Sequence, residues 1–303
     1  MEHQEYPIFK GCAAALVTPF LSDGALDLPA LKRLVRMHRQ AGTDAIVLLG
    51  TTGEPSTISE AEREQIIRAG IEAAEGMPVI VGTGANDTRR AAAYARQAKE
   101  LGACAQLCVT PYYNKCTQQG LIRHYCTVMD SCELPLIAYH VPSRTGVSVT
   151  LDTIRTLSHH PHMAGIKEAG SSIALAADIL SSRIGIPLYC GNDDMILPMI
   201  SMGASGAISV TANLLPAITK SLTDAALSGD YARALKIHNA LMPLFRALFW
   251  QVNPIPVKAA MAHAGLIREI LRLPLTPLEE PHRSRLFALL DTIEAEDSSA
   301  HRE

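Results

Sequence analysis

Lys167 closes a short apolar run, Met163-Ala164-Gly165-Ile166, just before the small residues Ala169 and Gly170 break it. Runs this short and apolar, bounded by turn residues, read as buried strands. A buried strand disfavours an ammonium, because desolvation penalises the charged form. A free lysine titrates near ~10.4, and burial can lower that by roughly 3–5 units. A partly neutral amine is what imine formation with a carbonyl substrate requires. The alternative is a strand-end lysine that snorkels to solvent or pairs with Glu168. Other reactive side chains collect at similar places. Tyr139 ends an apolar run beside a proline-stiffened loop and can act as an acid–base; a core tyrosine with a satisfied hydroxyl is its other reading. Arg144 follows five residues on, with a planar fork suited to a carboxylate, or else is a surface arginine. Gly50-Thr51-Thr52-Gly53 suggests a tight turn whose hydroxyls and amides can hold a carboxylate, or an ordinary threonine-capped turn. Asp193-Asp194 can recruit a cation or cap the following helix, the second being preferred.

These residues need elements to position them, and the chain repeats one theme: an apolar run, a turn of Gly, Thr, Asn or Pro, then an amphipathic segment. Strands are expected at Ala13–Pro19, Ala45–Leu49, Pro78–Gly82, Ala105–Thr110, Leu134–His140, Met163–Lys167, Pro187–Cys190 and Gly206–Val210. Helices are expected at Pro29–Ala41, Ser59–Ala74, Thr88–Leu101, Gln118–Ser131 and Leu151–Ser158, with a capping box at Ser59 and Glu62 and a cap at Asp87 or Thr88. Such alternation implies parallel strands joined by right-handed crossovers. Eight units of this size predict a (β/α)8 TIM barrel, with an open doubly wound sheet as the other architecture. From Leu214 to Ala264, and again from Pro277 to Glu294, the pattern is wholly helical. The expected organisation is a barrel over residues 1–225 and a C-terminal helical extension over 226–303, packed on it. In a barrel, catalytic groups come from the C-terminal strand ends. All the residues singled out above lie there, whereas His159-His160-Pro161-His162 precedes its strand and lies on the opposite face, which argues against a metal tract.

Composition removes other classes. A net charge of −3 gives no support for nucleic-acid or anionic-membrane binding. No apolar run approaches the roughly 20 residues of a membrane span. Met1 to Lys10 lacks the apolar centre of a signal peptide. Seven scattered cysteines without a Cys-x-x-Cys pair argue against a zinc ribbon or disulfide framework and suggest the cytoplasm. Gly82-Thr83-Gly84 lacks the third glycine of a dinucleotide fingerprint and reads as a packing turn, which counts against a nicotinamide oxidoreductase.

Gly50-Thr51-Thr52-Gly53-Glu54, Thr110-Pro111-Tyr112-Tyr113-Asn114, Val141-Pro142-Ser143-Arg144-Thr145-Gly146 and Gly165-Ile166-Lys167-Glu168-Ala169 occur in order, each at a strand end. With Asn253-Pro254-Ile255-Pro256-Val257-Lys258, they make the chain resemble the dihydrodipicolinate synthase / N-acetylneuraminate lyase superfamily from about Phe9 to Leu290, on its synthase branch. The resemblance implies condensation of pyruvate with L-aspartate 4-semialdehyde to 4-hydroxy-tetrahydrodipicolinate, on the route to diaminopimelate and lysine. By motif, Lys167 would carry the pyruvate imine and Tyr139 would be the acid–base. Thr51 would link Tyr139 to Tyr113 of a neighbouring subunit in a proton relay. Thr52 would hold the pyruvate carboxylate and Arg144 that of the semialdehyde, while Gly191 and Ile208 would line the pocket. No metal or organic cofactor is implied, and the assembly would be a homotetramer built as a dimer of dimers.

Some positions depart from the resemblance. His140 stands where asparagine is more usual, and strand alternation points it away from Tyr139, so it should be tolerated. Cys116 stands where proline is common. Near Tyr112 and Asn86, where sensitive members bind L-lysine, this chain carries Glu60, Arg63 and Arg90. Two cations there predict weak or absent lysine feedback. A sugar-acid lyase of the same superfamily would keep Lys167 and Tyr139 but tends to lack Arg144 and to vary Thr52. A catalytically silent barrel would lose Lys167, Tyr139 or Thr51, and all three are present.

Overall fold

The structure is a computed structural model that describes residues 7–170 and 172–300. Eight short strands form a closed parallel barrel: β1 Gly11–Ala15, β2 Ala45–Leu48, β3 Val79–Gly82, β4 Ala105–Val109, β5 Leu136–His140, β6 Met163–Glu168, β7 Leu188–Cys190 and β8 Gly206–Ser209. The ring closes where Gly11 of β1 faces Gly206 of β8. Helices α1 Leu28–Gln40, α2 Glu60–Ala74, α3 Thr88–Glu100, α4 Gln118–Asp130, α5 Pro142–Thr145, α6 Leu151–Ser158, α7 Ala174–Ser181, α8 Ile196–Ser201 and α9 Pro216–Leu227 alternate with them. Three further helices follow, α10 Tyr231–Ala247, α11 Ile255–His263 and α12 His282–Ala300. The architecture expected from the alternation is the one formed.

Local chemistry starts the helices where the sequence indicates. Ser59 and Glu62 make the reciprocal capping box of α2, and at α3 it is Asp87, not Thr88, whose carboxylate accepts from the Arg89 amide. Alternate strand residues fill two cores. Ala13, Ala15, Val47, Ile80, Leu107, Ile137, Tyr139 and Ile208 face the barrel interior, where Phe9 stacks on Tyr189 with ring centres 4.3 Å apart. Outward residues such as Ile46, Leu48 and Val81 pack under the helices together with Val257, Met261 and Leu286 of the tail.

Three expectations are corrected. The first strand stops at Ala15 and not at Pro19, because Asn213 takes over from the ladder: its side-chain oxygen accepts from the Val17 amide at 3.0 Å and its amide nitrogen donates to the Ala15 carbonyl at 2.7 Å. The helical stretch from Leu214 to Ala264 is three helices, broken at Ser228-Gly229-Asp230 and again between Leu248 and Pro254. Gly229 adopts a left-handed φ of 82°, and Asp230 caps the next helix by accepting from the Arg233 amide. The position between residues 225 and 226 therefore falls inside α9, near its end. The last helix begins at His282, directly after Pro281; the Leu278 and Glu279 amides are spent on the side chains of Glu269 and Gln251 at 3.3 and 3.2 Å.

His38 of α1 is fully buried, with Nδ1 3.1 Å from the Thr43 hydroxyl and, among the described residues, no partner on Nε2. Burial lowers its pKa from 6.5 to about 4. The unfolded chain takes up this proton more readily, so the contribution to stability is complete above pH 6.5 and is lost as pH falls towards 4. Urea midpoints should therefore decline across that window, and less steeply in His38→Gln; equal slopes in the two proteins would remove His38 as the cause.

Candidate active site

The strand β6 does not run in one phase. Leu136 of β5 pairs with Met163, yet Ile137 pairs with Gly165, so β6 carries one extra residue, a β-bulge at Ala164-Gly165. Before it, Met163 faces outward and Ala164 inward; after it, Ile166 packs outward and Ala169 inward. The extra residue inverts the alternation and turns Lys167 into the barrel. Gly165 suits this position with a φ of 150°, and a Cβ there would meet the Pro187 carbonyl oxygen at 2.8 Å. Lys167 is thus buried and faces Tyr139, its register partner on β5, with Nζ 4.4 Å from the ring centre. Pairing of Lys167 with Glu168 does not occur. Glu168 points outward to His140, whose Nδ1 lies 2.7 Å from Glu168 Oε2 on the side of the sheet away from the cavity.

A cavity of about 150 Å³ opens over Lys167 at the C-terminal strand ends. Tyr139, Thr51, Thr52, Arg144 and Gly191, each expected to take part, line it. After β2 the chain folds into a tight 3-10 turn, Thr51–Gly53, ended by Glu54 in a left-handed conformation. Thr18 Oγ1 donates to the Gly53 carbonyl at 2.8 Å, and Asn253 Nδ2 donates to Thr52 Oγ1 at 2.9 Å. A threonine hydroxyl that already accepts from Asn253 keeps its own proton to donate, which suits a carboxylate. Glu54 in turn is held from below by Lys258 of α11, fully buried, whose Nζ lies 2.6 Å from Oε1 and donates to the Thr18 carbonyl at 3.0 Å. Burial lowers the Lys258 pKa, with Glu54 opposing the shift. Arg272 adds its amide to Glu54 Oε2 at 3.2 Å, and its guanidinium reaches Glu62, whose carboxyl it holds down at about 2. Arg144 sits on the short helix α5 at the mouth, exposed, on a turn that Gly146 ends with a φ of 69°.

Gly191 leaves no room for a side chain. A Cβ would come within 2.7 Å of the Ala169 Cβ, 2.9 Å of Lys167 Cε and 3.0 Å of the Glu168 carbonyl oxygen. Gly191→Ala should therefore displace the amine, cutting kcat by about tenfold to a hundredfold, and should lower the unfolding midpoint, since the Ala169 Cβ has no freedom to give way. Wild-type kinetics in this variant would show that the lysine position tolerates the shift.

Tyr113, expected to act in a neighbouring subunit, does not line this cavity; it stands on the loop after β4 with a φ of 76° and is 90% exposed. Ile208 is fully buried inside the barrel, and Val210, past the end of β8, is the residue that lines the cavity. Asp193 does not cap a helix; its buried carboxylate accepts from the Val210 and Thr211 amides at 3.1 and 2.7 Å and ties the end of β7 to that of β8. Asn253, Asn192, Ser143 and Phe249 also line the cavity without having been singled out for it.

Comparison with known proteins places the chain in a family. Residues 8–293 match the Dihydrodipicolinate synthetase family. The chain belongs to that family. A curated relative named 4-hydroxy-tetrahydrodipicolinate synthase, from Alkaliphilus oremlandii, is 45% identical over 285 residues, which are 92% of this chain and 97% of the relative. The solved dihydrodipicolinate synthase of Aquifex aeolicus superposes with a TM-score of 0.92 at 40% identity, covering 94% of this chain and 98% of its own. A chloride-inhibited dihydrodipicolinate synthase from Acinetobacter baumannii, solved in complex with pyruvate, superposes at 0.91 with 43% identity over 93% and 98% of the two chains. No helix among the described residues is long and apolar enough to cross a membrane.

Proposed function

We propose that this chain is a lyase-class synthase that condenses pyruvate with L-aspartate 4-semialdehyde to give 4-hydroxy-tetrahydrodipicolinate, by way of a covalent lysine–pyruvate imine. The observation that carries this is Lys167, buried in an enclosed cavity and turned onto Tyr139 by the bulge in β6. Family membership and the pyruvate complex of the relative from Acinetobacter baumannii support it. Lys167 Nζ attacks the ketone carbon and water leaves. The imine then draws electrons from the methyl carbon, which loses a proton and attacks the aldehyde as an enamine. The aldehyde oxygen becomes the hydroxyl, and the amino group of the semialdehyde displaces Lys167 as the ring closes. The electron sink is the imine itself, so the chain supplies all the chemistry without a separate cofactor.

Position in the cavity supports the following residue roles. Tyr139 moves protons at the imine and at the aldol oxygen, with Thr51 beside it at the cavity wall. Thr52 binds the pyruvate carboxylate, and Arg144 at the mouth binds that of the semialdehyde. Gly191 leaves space for the amine. Tyr113 projects into solvent and completes the relay of a neighbouring subunit, in a homotetramer of two tight dimers in the cytoplasm. Feedback by L-lysine should be weak: Arg63 and Arg90 face the region beside the mouth with their positive charge, and an activity assay should show no inhibition at micromolar L-lysine.

Intact-mass spectrometry after borohydride reduction with pyruvate tests the reading. A pyruvate-sized adduct on Lys167, consumed when the semialdehyde is added before the quench, is the expected result. An adduct that ignores the semialdehyde points to a sugar-acid lyase, and no adduct removes the imine mechanism.

A further inference from the structure

Directly behind Lys167 and Tyr139 sits a second pair of side chains that the proposed mechanism does not use. The register that sets Lys167 against Tyr139 sets Glu168 against His140 one step further on, on the opposite face of the sheet. Both are buried, and His140 Nδ1 lies 2.7 Å from Glu168 Oε2. Each member is therefore the chain neighbour of one member of the catalytic pair.

Glu168 is tied in three directions. Its Oε2 meets β5 at His140, and its Oε1 accepts from the Gly170 amide at 2.6 Å, in the turn that follows β6. Its carbonyl accepts from the Gly191 amide at 2.8 Å, past the end of β7. The Ala169 amide donates to the His140 carbonyl at 2.9 Å. These bonds hold Lys167 from its C-terminal side, where the regular ladder ends. Among the described residues His140 Nε2 has no partner, so the polar hold on the ring comes from Glu168 alone.

The pair also depends on the bulge. Counted on from Leu136 and Met163 without it, His140 would stand opposite Lys167, an amine in place of the carboxyl, and Glu168 would lose its partner. Buried polar pairs add little stability over apolar residues of similar volume, and fixing register is the role for which they are best attested. We infer that His140 and Glu168 are positioning residues for Lys167: their hydrogen bond fastens the end of β6 to β5 in the phase that aims the amine at Tyr139. What the amine does rests on the proposed function; where it stands does not.

His140→Asn, His140→Leu, and His140→Leu combined with Glu168→Met separate positioning from stability. Asparagine carries an amide nitrogen where the imidazole has Nδ1, so it keeps a donor for Glu168. Leucine alone leaves the carboxyl without its β5 partner, and the double variant removes both polar groups. Borohydride trapping with pyruvate is read as a rate, beside the urea midpoint. His140→Leu should trap about tenfold to a hundredfold more slowly than the wild type, and His140→Asn at close to the wild-type rate. The double variant should unfold near the wild-type midpoint yet stay slow, and it carries the test if His140→Leu does not fold. Wild-type trapping by the double variant would reduce the pair to a stabilising contact and overturn the inference. So would a His140→Asn protein as slow as the double variant. If the wild type itself traps no pyruvate, the imine reading fails and amide exchange judges the pair. The Ala169 and Gly170 amides should then exchange faster in the double variant than in the wild type at matched stability, and equal rates would overturn the inference.

Discussion

Lys167→Ala should retain the barrel and lose turnover by about 10⁴-fold or more, the scale seen when a covalent nucleophile is removed from a site that still binds its substrate. The substitution removes an inward side chain from the floor of a cavity of about 150 Å³, so the cost to folding should be small beside the cost to chemistry. Two readouts separate this from general damage. The borohydride adduct should disappear, and pyruvate methyl protons should cease to exchange with deuterium in the presence of the protein, since exchange needs the enamine. Tyr139→Phe should behave differently: the amine remains, so an adduct still forms, while its formation and the aldol step slow by roughly 10²–10⁴-fold. A Lys167→Ala protein that keeps more than a hundredth of wild-type activity would show that the amine is not the nucleophile.

Lys258→Met should be the most destabilising single substitution among those considered. Its ammonium lies 2.6 Å from Glu54, both side chains are essentially without solvent contact, and it also holds the Thr18 carbonyl and stands 4.3 Å from the Phe20 ring centre. Removing one partner leaves Glu54 as a buried, uncompensated carboxylate, a change that costs about 3–5 kcal/mol. The double variant Lys258→Met, Glu54→Gln should recover more than half of that loss, because it removes both charges. The pair also reaches the site, for Glu54 ends the turn that presents Thr51 and Thr52. The single variant should therefore raise the KM for pyruvate at temperatures where it remains folded. Denaturant titrations of the two variants decide this: a loss below about 1 kcal/mol in the single variant would mean that the interior solvates Glu54 by other means.

The parts of this molecule that could be read in advance are those where a local signal and the global fold coincide. Strand ends were legible because a buried barrel leaves its polar, small and reactive residues at one rim, and Thr51, Thr52, Tyr139, Arg144, Lys167 and Gly191 all line one cavity. The eightfold alternation was legible for the same reason. What escaped was long-range or phase-dependent. Asn253 meets Thr52 across 201 positions, and although its motif carries the resemblance, no local signal assigns its side chain to the site. Asp193 looks like a helix cap by type and place, but the amides at Val210 and Thr211 are its partners. The C-terminal stretch reads as an eighth helix and an appended helical region without its internal breaks, because helical character continues on both sides of Gly229 and of the segment ending at Pro254. Ile208 has the right composition for a pocket wall but lies one layer too deep.

The bulge in β6 gives the chain a reading frame. Up to Ala164 the strand is phased by packing against its neighbours, and from Ile166 onward it is phased the other way. Which side chain enters the cavity is therefore decided by where the extra residue leaves the ladder and not by residue identity. Were Ala164 and Gly165 both to take regular ladder positions, every amino acid of the motif would stay in place, yet Glu168 would face the cavity and Lys167 would lie beneath the helices. A nucleophile would be exchanged for an acid without a single substitution. The strand can thus vary in composition over much of its length, but its phase is part of the chemistry.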